Sequence, residues 1–114
     1  MNYARLSDNY SVATQIRPED VEHFAAEGFT TIICNRPDGE DAGQPTSAAI
    51  RDACEQRSIE FYMIPMQGRG LDTETVGQFL TVIGNASGPV LGYCRSGTRS
   101  AILWQVASQT PPPS

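Results

Sequence analysis

The feature that most constrains the fold of this chain is an alternation between short apolar runs and segments with helical spacing. Strands are predicted where β-branched and apolar residues predominate, at residues 11–16, 29–34, 60–64 and 89–93. Helices are predicted after each of these runs, beginning near Pro18, Thr46, Asp72 and Ser100. The alternation predicts an α/β fold, with a mostly parallel central sheet of roughly four to five strands flanked by helices.

The length and charge of the chain limit the kind of protein it can be. Its 114 residues are enough for one domain, which we expect over residues 1–109, with a disordered Pro-rich tail over residues 110–114. The net charge of −5 disfavours nucleic acid as a partner. No apolar run approaches the ~20 residues that a membrane helix needs, and residues 1–10 lack a signal-peptide pattern. These features predict a cytoplasmic protein without a nucleic-acid or membrane partner.

The cysteine, histidine and lysine contents narrow the chemistry. Cys34, Cys54 and Cys94 lie far apart in sequence, and His23 is the single histidine, so no zinc-type spacing is present. We therefore expect neither a metal nor a cofactor. All eight cationic side chains are arginine, which excludes catalysis through a Schiff-base lysine.

The segment Cys94–Ser100 is the strongest candidate for a functional site, because it joins the last predicted strand to a helix. Ligands of parallel sheets bind at this end of the strands. Gly97 permits a tight turn in which backbone amides surround an anion. The guanidinium of Arg99 can hold two oxygens of a tetrahedral anion. The remaining predicted members of this anion-binding loop are Arg95, Ser96 and Thr98.

Cys94 is the predicted nucleophile of the loop. The loop amides, the helix N-terminus and Arg99 would all favour its thiolate form. Ser100 is expected to donate its hydroxyl hydrogen to the sulfur. Such a thiolate needs no histidine partner, in agreement with the single histidine of the chain.

The sequence Tyr93–Ser100 (YCRSGTRS) resembles the active-site loop of rhodanese sulfurtransferases and, more distantly, that of protein tyrosine phosphatases. Together with Asn35–Glu40 (NRPDGE), it makes the chain from about Tyr10 to Gln109 similar to the phosphatase-like domain of beta-lactamase hydrolase-like proteins. The resemblance implies a tyrosine-phosphatase-like fold and an activity that is either phosphatase or sulfurtransferase.

Two details of the sequence favour sulfur transfer. Arg99 follows Cys94 after four residues, as in the rhodanese pattern, whereas tyrosine-class phosphatases have one residue more. A phosphatase also uses an acid to protonate its leaving group, but residues 65–72 offer Gln67, and Asp72 is expected to cap a helix. The expected reaction moves a sulfane sulfur from thiosulfate or a persulfide, through a Cys94 persulfide, to a thiol acceptor.

Two alternatives remain open from the sequence. A cysteine phosphatase would cleave a phosphate ester through a phosphocysteine at Cys94, with Asp38 or Asp72 as its acid. A non-catalytic module would instead sense anions or redox state through modification of Cys94. Arg36 and Asp38 either shape the pocket or form a structural turn. The sequence also leaves open whether a hydrolase or a dioxygenase is a functional partner.

Overall fold

A computed structural model describes residues 3–67 and 71–109 of the chain. Within these ranges the elements follow in the order β1 (Tyr3–Ser7), β2 (Tyr10–Ala13), α1 (Asp20–Ala26), β3 (Thr31–Cys34), α2 (Ser47–Gln56), β4 (Glu60–Met63), α3 (Thr73–Asn85), β5 (Val90–Tyr93) and α4 (Thr98–Ser108). The predicted α/β alternation is confirmed. The predicted tail over residues 110–114 lies outside the described residues.

The five strands form one sheet in the order β1-β2-β5-β3-β4. β1 runs antiparallel to β2, and the other neighbouring pairs are parallel. Ala13 of β2 and Cys34 of β3 both pair with Tyr93, the last residue of β5. Three parallel strands therefore end together at one edge of the sheet, and the Cys94 loop leaves from the middle one.

Two apolar clusters hold the helices on opposite faces of the sheet. One packs Phe24 of α1 and Ile50 of α2 against Ile32 and Leu91. The other packs helices α3 and α4 against Ile33 and Val90. Ile33 follows Ile32 on β3, and Val90 precedes Leu91 on β5. Successive residues of a strand point to opposite faces, and burying one such side chain contributes about 1.5–3 kcal/mol. The continuous apolar runs of β3 and β5 are thus explained by burial on both faces.

The ends of the helices follow local chemistry. Thr46 Oγ1 accepts the Ala49 amide hydrogen at 3.1 Å, and Asp72 Oδ1 accepts that of Thr75 at 2.8 Å, which confirms both predicted N-caps. α4 begins at Thr98 rather than near Ser100, because the turn at Gly97 already starts the helix. None of the helices described in residues 3–67 and 71–109 has the length and apolarity needed to cross a membrane.

The strand boundaries differ from the predictions by one or two residues at β3, β4 and β5, and the larger differences are at β2 and β1. β2 ends at Ala13 rather than Ile16, because the chain then turns toward the loop, where the Gln15 amide donates to the Arg95 carbonyl at 3.2 Å. β1 was not among the predicted strands. Its central residues are exposed, so it lacks the apolar run on which the predictions depended.

Candidate active site

The loop that leaves β5 curls back on its first residue. Gly97 has φ +88°, a left-handed conformation that residues with a Cβ adopt only with strain. This turn brings the Gly97 amide to 3.1 Å from Cys94 Sγ, to which it donates a hydrogen bond. Gly97 is also the N-cap residue of α4 and has no side chain to cap the helix, while Ser96 Oγ accepts a long hydrogen bond from the Thr98 amide at 3.4 Å. The amides of a helix N-terminus favour negative charge, so the loop and helix together form an anion-binding arrangement.

The Cys94 side chain is completely buried, yet neither apolar cluster includes it. Its sulfur lies inside the loop, against the Gly97 amide, and its own amide donates to the Ala13 carbonyl at 3.4 Å. The other two cysteines have different surroundings: burial raises the pKa of Cys34 and raises that of Cys54 to about 12. Both therefore remain protonated thiols near neutral pH and are poor nucleophiles.

Arg99, on the first turn of α4, is held by two partners outside its helix. Its Nη1 and Nη2 donate to the two carboxylate oxygens of Glu40 at 2.8 and 2.9 Å, and Nη1 also donates to the Met66 carbonyl at 2.9 Å. Glu40 above all, with Cys94 nearby, raises the pKa of the Arg99 guanidinium. Glu40 occupies the Nη1–Nη2 edge of the guanidinium. The Nε–Nη2 edge is the fork that remains for the oxygens of an anion.

Glu40 connects Arg99 to a second, buried arginine. Arg36 is 3% exposed, and its Nε donates to Glu40 Oε1 at 2.9 Å. Its two other nitrogens donate to Gln15 Oε1 at 3.0 Å and to Asp41 Oδ2 at 2.7 Å. Hydrogen bonds from Arg99 and then Arg36 lower the pKa of Glu40 to about 2. Arg36 therefore supports Glu40 from the protein interior, and of the two interpretations left open for Arg36 these contacts favour the structural one.

The remaining residues of the loop lie closer to solvent. Arg95 is exposed, and its Nε lies 3.6 Å from Asp41 Oδ2. Ser96 Oγ donates to Thr98 Oγ1 at 2.9 Å. These contacts leave the Arg95 guanidinium at the surface beside the loop, where it adds positive potential to an otherwise acidic protein.

The structure corrects the expectation for the Ser100 hydroxyl. Ser100 Oγ donates to Asn35 Oδ1 at 2.8 Å rather than to the Cys94 sulfur. Asn35 in turn donates from Nδ2 to the Ile64 carbonyl at 2.8 Å. The Ser100 hydroxyl therefore ties α4 to the ends of β3 and β4, and its only hydrogen is already used in this bond.

The two acids considered for a phosphatase also have structural partners. Asp38 accepts hydrogen bonds from the Ser47 amide at 2.7 Å and from the Ser47 hydroxyl at 2.6 Å, at the start of α2. Asp72 caps α3 through the Thr75 amide, a bond that lowers its pKa. Of the two interpretations left open for Asp38, these contacts favour the structural one, because both of its carboxylate oxygens hold the α2 terminus.

Glu40, which contacts Arg99, was not among the site residues predicted from the sequence. It lies within the run Asn35–Glu40, but nothing in the local pattern separates it from Asp38 as a partner for Arg99. The signal that could have found it is the need of Arg36, four residues earlier, for a carboxylate partner. In the described ranges, no three His, Cys, Asp or Glu side chains gather as a metal site would require.

The sequence of this chain is similar to that of a known protein family. Residues 2–110 match the family model described as "Beta-lactamase hydrolase-like protein, phosphatase-like domain". A beta-lactamase hydrolase-like protein of Agrobacterium fabrum is 31% identical over 91% of this chain, which spans 24% of that protein's length.

Solved structures agree with the family match. A presumed phosphatase from Neisseria meningitidis Z2491 superimposes with a TM-score of 0.83 and 38% identity, over 95% of this chain and 79% of its own. TpbA of P. aeruginosa, a C132S form in complex with pTyr, superimposes with a TM-score of 0.61 and 18% identity, over 84% and 54%. The predicted protein-tyrosine-phosphatase-like fold is confirmed.

Proposed function

Because this chain belongs to the family of phosphatase-like domains of beta-lactamase hydrolase-like proteins, we propose that it is a cysteine-dependent phosphatase. The observation that carries the proposal is the position of Cys94 Sγ, 3.1 Å from the Gly97 amide and beside the Arg99 guanidinium. A loop amide, a helix N-terminus and a guanidinium around one sulfur supply the donors that an oxyanion transferred to that sulfur needs.

The comparisons favour this function over the sulfurtransferase that the loop spacing predicted. Both the family model and the Neisseria relative have phosphatase descriptions. The shorter spacing between Cys94 and Arg99 is thus a variation within a phosphatase-like fold. The alternative reaction, sulfur transfer through a Cys94 persulfide, is tested with thiosulfate as the substrate.

The first half of the proposed reaction is an in-line displacement at phosphorus. The Cys94 thiolate attacks the phosphorus of a phosphate monoester or related phosphoryl compound, and a P–S bond forms while the P–O bond to the leaving group breaks. Arg99 and the first amides of α4 hold the other three phosphoryl oxygens, where negative charge is concentrated. The products are a phosphocysteine at Cys94 and the leaving group, which carries the electron pair of the broken bond.

The second half returns the enzyme to its starting state. Water attacks the phosphorus of the phosphocysteine, the P–S bond breaks, and the electron pair returns to the Cys94 sulfur. Inorganic phosphate departs, and the proton lost by the attacking water passes to the phosphate or to solvent. The same amides and Arg99 stabilise the charge in both steps, so the loop acts twice in each cycle.

Glu40 is proposed as a positioning residue in this reaction. Its two oxygens hold the Nη1–Nη2 edge of Arg99, and its Oε1 also accepts from the buried Arg36. This contact fixes the plane of the Arg99 guanidinium before the substrate arrives. Preorganised donors contribute more to catalysis than mobile ones, because no reorganisation is needed in the transition state.

The experiment that tests the proposal follows the covalent intermediate. Wild-type protein is incubated with 4-nitrophenyl phosphate, quenched in acid, and examined by mass spectrometry for a phosphoryl group on Cys94, together with release of inorganic phosphate. Cys94→Ser should abolish phosphate release, whereas Cys54→Ala, which removes another buried cysteine, should retain it. Phosphate release by Cys94→Ser at the wild-type rate would contradict the proposal. Sulfur gain from thiosulfate without any phosphatase turnover would also contradict it.

We also propose that residues 1–109 form the catalytic domain and that the protein works in a reducing compartment such as the cytoplasm. The compartment is supported by Cys34, Cys54 and Cys94, which are all free thiols. Each of these thiols is buried, and Cys94 must remain reduced to act as a nucleophile.

A further inference from the structure

The carboxylates around the Cys94 loop are all engaged in other interactions. Glu40 receives hydrogen bonds from Arg99 and Arg36, and Asp41 receives one from Arg36 while lying 3.6 Å from Arg95 Nε. Both carboxylates thus accept charge-assisted hydrogen bonds from guanidinium groups. For Glu40, the bonds from Arg99 and Arg36 lower the pKa to about 2, so it has no proton to give near neutral pH.

The two other nearby acids are used at helix ends. Asp38 accepts two hydrogen bonds from Ser47, and Asp72 accepts one from the Thr75 amide. Asp72 is the N-cap of α3, and the Thr75 amide lowers its pKa, so Asp72 holds no proton near neutral pH. Both oxygens of Asp38 are occupied by Ser47, so this side chain is committed to holding the start of α2.

The rest of the chain supplies no replacement acid at the loop. All 13 acidic residues fall within the described ranges, and the intervening residues 68–70 are Gly, Arg and Gly. The nine acids not yet mentioned lie in the β1–β2 turn, on or next to α1, on α2, at the first residue of β4 and in the first turn of α3: Asp8, Glu19, Asp20, Glu22, Glu27, Asp52, Glu55, Glu60 and Glu74. His23 is on α1 and contacts Glu27 at 2.6 Å.

Tyrosine does not fill the role either. In an in-line displacement the leaving oxygen is on the side of phosphorus opposite to the attacking sulfur. Cys94 Sγ forms the buried floor of the loop, so the leaving group faces outward. Tyr10 and Tyr93 are each 1% exposed, and the Tyr10 hydroxyl lies against Gly92 of β5, so neither is presented to an outward leaving group. Tyr3 and Tyr62 donate their hydroxyl hydrogens to Glu27 and Glu60.

From these contacts we propose that the enzyme selects phosphoryl substrates whose leaving group departs as a stable anion: phosphoric anhydrides, that is, acyl phosphates and phosphoanhydrides. This inference rests on the proposed phosphatase function. In the selected reaction the P–O bond breaks with its electron pair on a carboxylate or phosphate leaving group, which needs no proton. Cys94 takes the phosphoryl group, and water later removes it as inorganic phosphate.

The same contacts predict a poor reaction with simple phosphate esters. A departing alkoxide or phenoxide must be protonated in the transition state, and an enzyme that supplies the proton gains about 10²–10⁴-fold. Phenol has about the acidity of a tyrosine side chain, with a pKa near ~10, so phenyl phosphate depends strongly on such help. The dependence of the rate on the acidity of the leaving group therefore measures whether an acid is present.

The test compares kcat/KM of the wild-type protein for acetyl phosphate, 4-nitrophenyl phosphate and phenyl phosphate, by release of inorganic phosphate. Cys94→Ser, measured in parallel, gives the uncatalysed background for each compound. We expect turnover of the first two and a fall of at least about 100-fold from 4-nitrophenyl phosphate to phenyl phosphate. Values for those two esters within about tenfold of each other would overturn the inference and leave the phosphatase function standing.

Two variants examine acids outside the Arg99–Glu40 pair: Asp41, which lies 3.6 Å from Arg95 Nε, and Asp72, which the sequence offered as a phosphatase acid. Asp41→Asn and Asp72→Asn should each change kcat/KM for 4-nitrophenyl phosphate and for phenyl phosphate by the same factor. The ratio of the first value to the second should therefore stay as in the wild type. A larger ratio in either variant would identify that residue as the general acid and overturn the inference. Absence of phosphate release from every compound would overturn the phosphatase function itself.

Discussion

Arg99 and Glu40 form a two-point ion pair across the candidate site, with both carboxylate oxygens within 2.9 Å of guanidinium nitrogens. The pair joins the first turn of α4 to the loop after β3. Glu40 orients the Arg99 guanidinium, and it also neutralises the buried charge of Arg36. The same carboxylate therefore affects both the candidate anion-binding side chain, Arg99, and the stability of the folded protein.

Glu40→Gln tests the orientation of Arg99. The amide keeps the size of the side chain but can accept hydrogen bonds at only one oxygen, so Arg99 loses its two-point contact. We expect kcat/KM for 4-nitrophenyl phosphate to fall about 10–100-fold, since small errors of placement have effects of this size. Circular dichroism at the assay temperature establishes that the variant is folded. An unchanged kcat/KM in a folded variant would show that Arg99 does not need Glu40.

The acid stability of the protein should also depend on Glu40. Its pKa is about 2 in the folded chain, where Arg99 and Arg36 donate to it, and near ~4.3 in an unfolded chain. A depressed pKa stabilises the fold fully above the unfolded value, and the stabilisation is lost as pH falls toward 2. The difference in unfolding free energy between wild type and Glu40→Gln should be constant above pH ~5 and should shrink below it.

Urea unfolding between pH 7 and pH 2 measures this difference. Asp52→Asn, at an exposed position on α2, serves as the matched control and should show a much smaller change with pH. A wild-type advantage that grows as the pH is lowered would have the wrong sign and would contradict the assignment.

Ser100→Ala separates a structural role of the Ser100 hydroxyl from a role at the sulfur. Removing the hydroxyl leaves the fully buried Asn35 Oδ1 without its donor, which costs about 1–3 kcal/mol of stability. The rate at which iodoacetamide alkylates Cys94 should stay at the wild-type value in the folded variant. Ser87→Ala, at an exposed position after α3, should change the stability by less than about 0.5 kcal/mol. Slower alkylation of Cys94 in Ser100→Ala would contradict this assignment and would support the hydrogen bond from Ser100 to the Cys94 sulfur that the sequence predicted.

Tyr10→Phe is expected to stabilise the protein. Among residues 3–67 and 71–109, the Tyr10 hydroxyl is buried without a hydrogen-bond partner, and burial raises its pKa far above the ordinary value. Its ring packs edge-on against Phe79 and stacks on Trp104, contacts that phenylalanine keeps. Removing an unsatisfied buried hydroxyl should add about 1 kcal/mol to the unfolding free energy. A loss of stability would show that the hydroxyl has a bound partner, such as a water molecule.

Gly92→Ala should destabilise the protein through the same tyrosine. A Cβ at Gly92 would collide with the Tyr10 hydroxyl oxygen and approach its ring carbon Cζ to 3.0 Å. Overpacking of this kind costs about 1–3 kcal/mol. In the double variant with Tyr10→Phe the worst contact is gone, so the loss should be smaller than in Gly92→Ala alone. Equal losses in both backgrounds, measured by urea unfolding, would exclude the collision as the cause.

Most of the fold could be predicted from local patterns. The β-branched runs of β3 and β5, the helical spacing of α2 and α3, and the caps at Thr46 and Asp72 each depend on residues within a few positions of one another. β1 could not be predicted in this way, because its residues are mostly exposed and it is a strand only through pairing with β2.

The sequence by itself determined the alternation of helices with strands β2 to β5 and the composition of the Cys94 loop, because the residues concerned are neighbours in the chain. The tertiary structure decided which side chains that loop meets. Glu40 is 59 residues from Arg99, and Asn35 is 65 residues from Ser100. They meet because β3 pairs with β5, so that the segments following both strands lie at the same edge of the sheet. Ion pairs and hydrogen bonds act over a few ångströms, and only the order of strands in the sheet sets those distances.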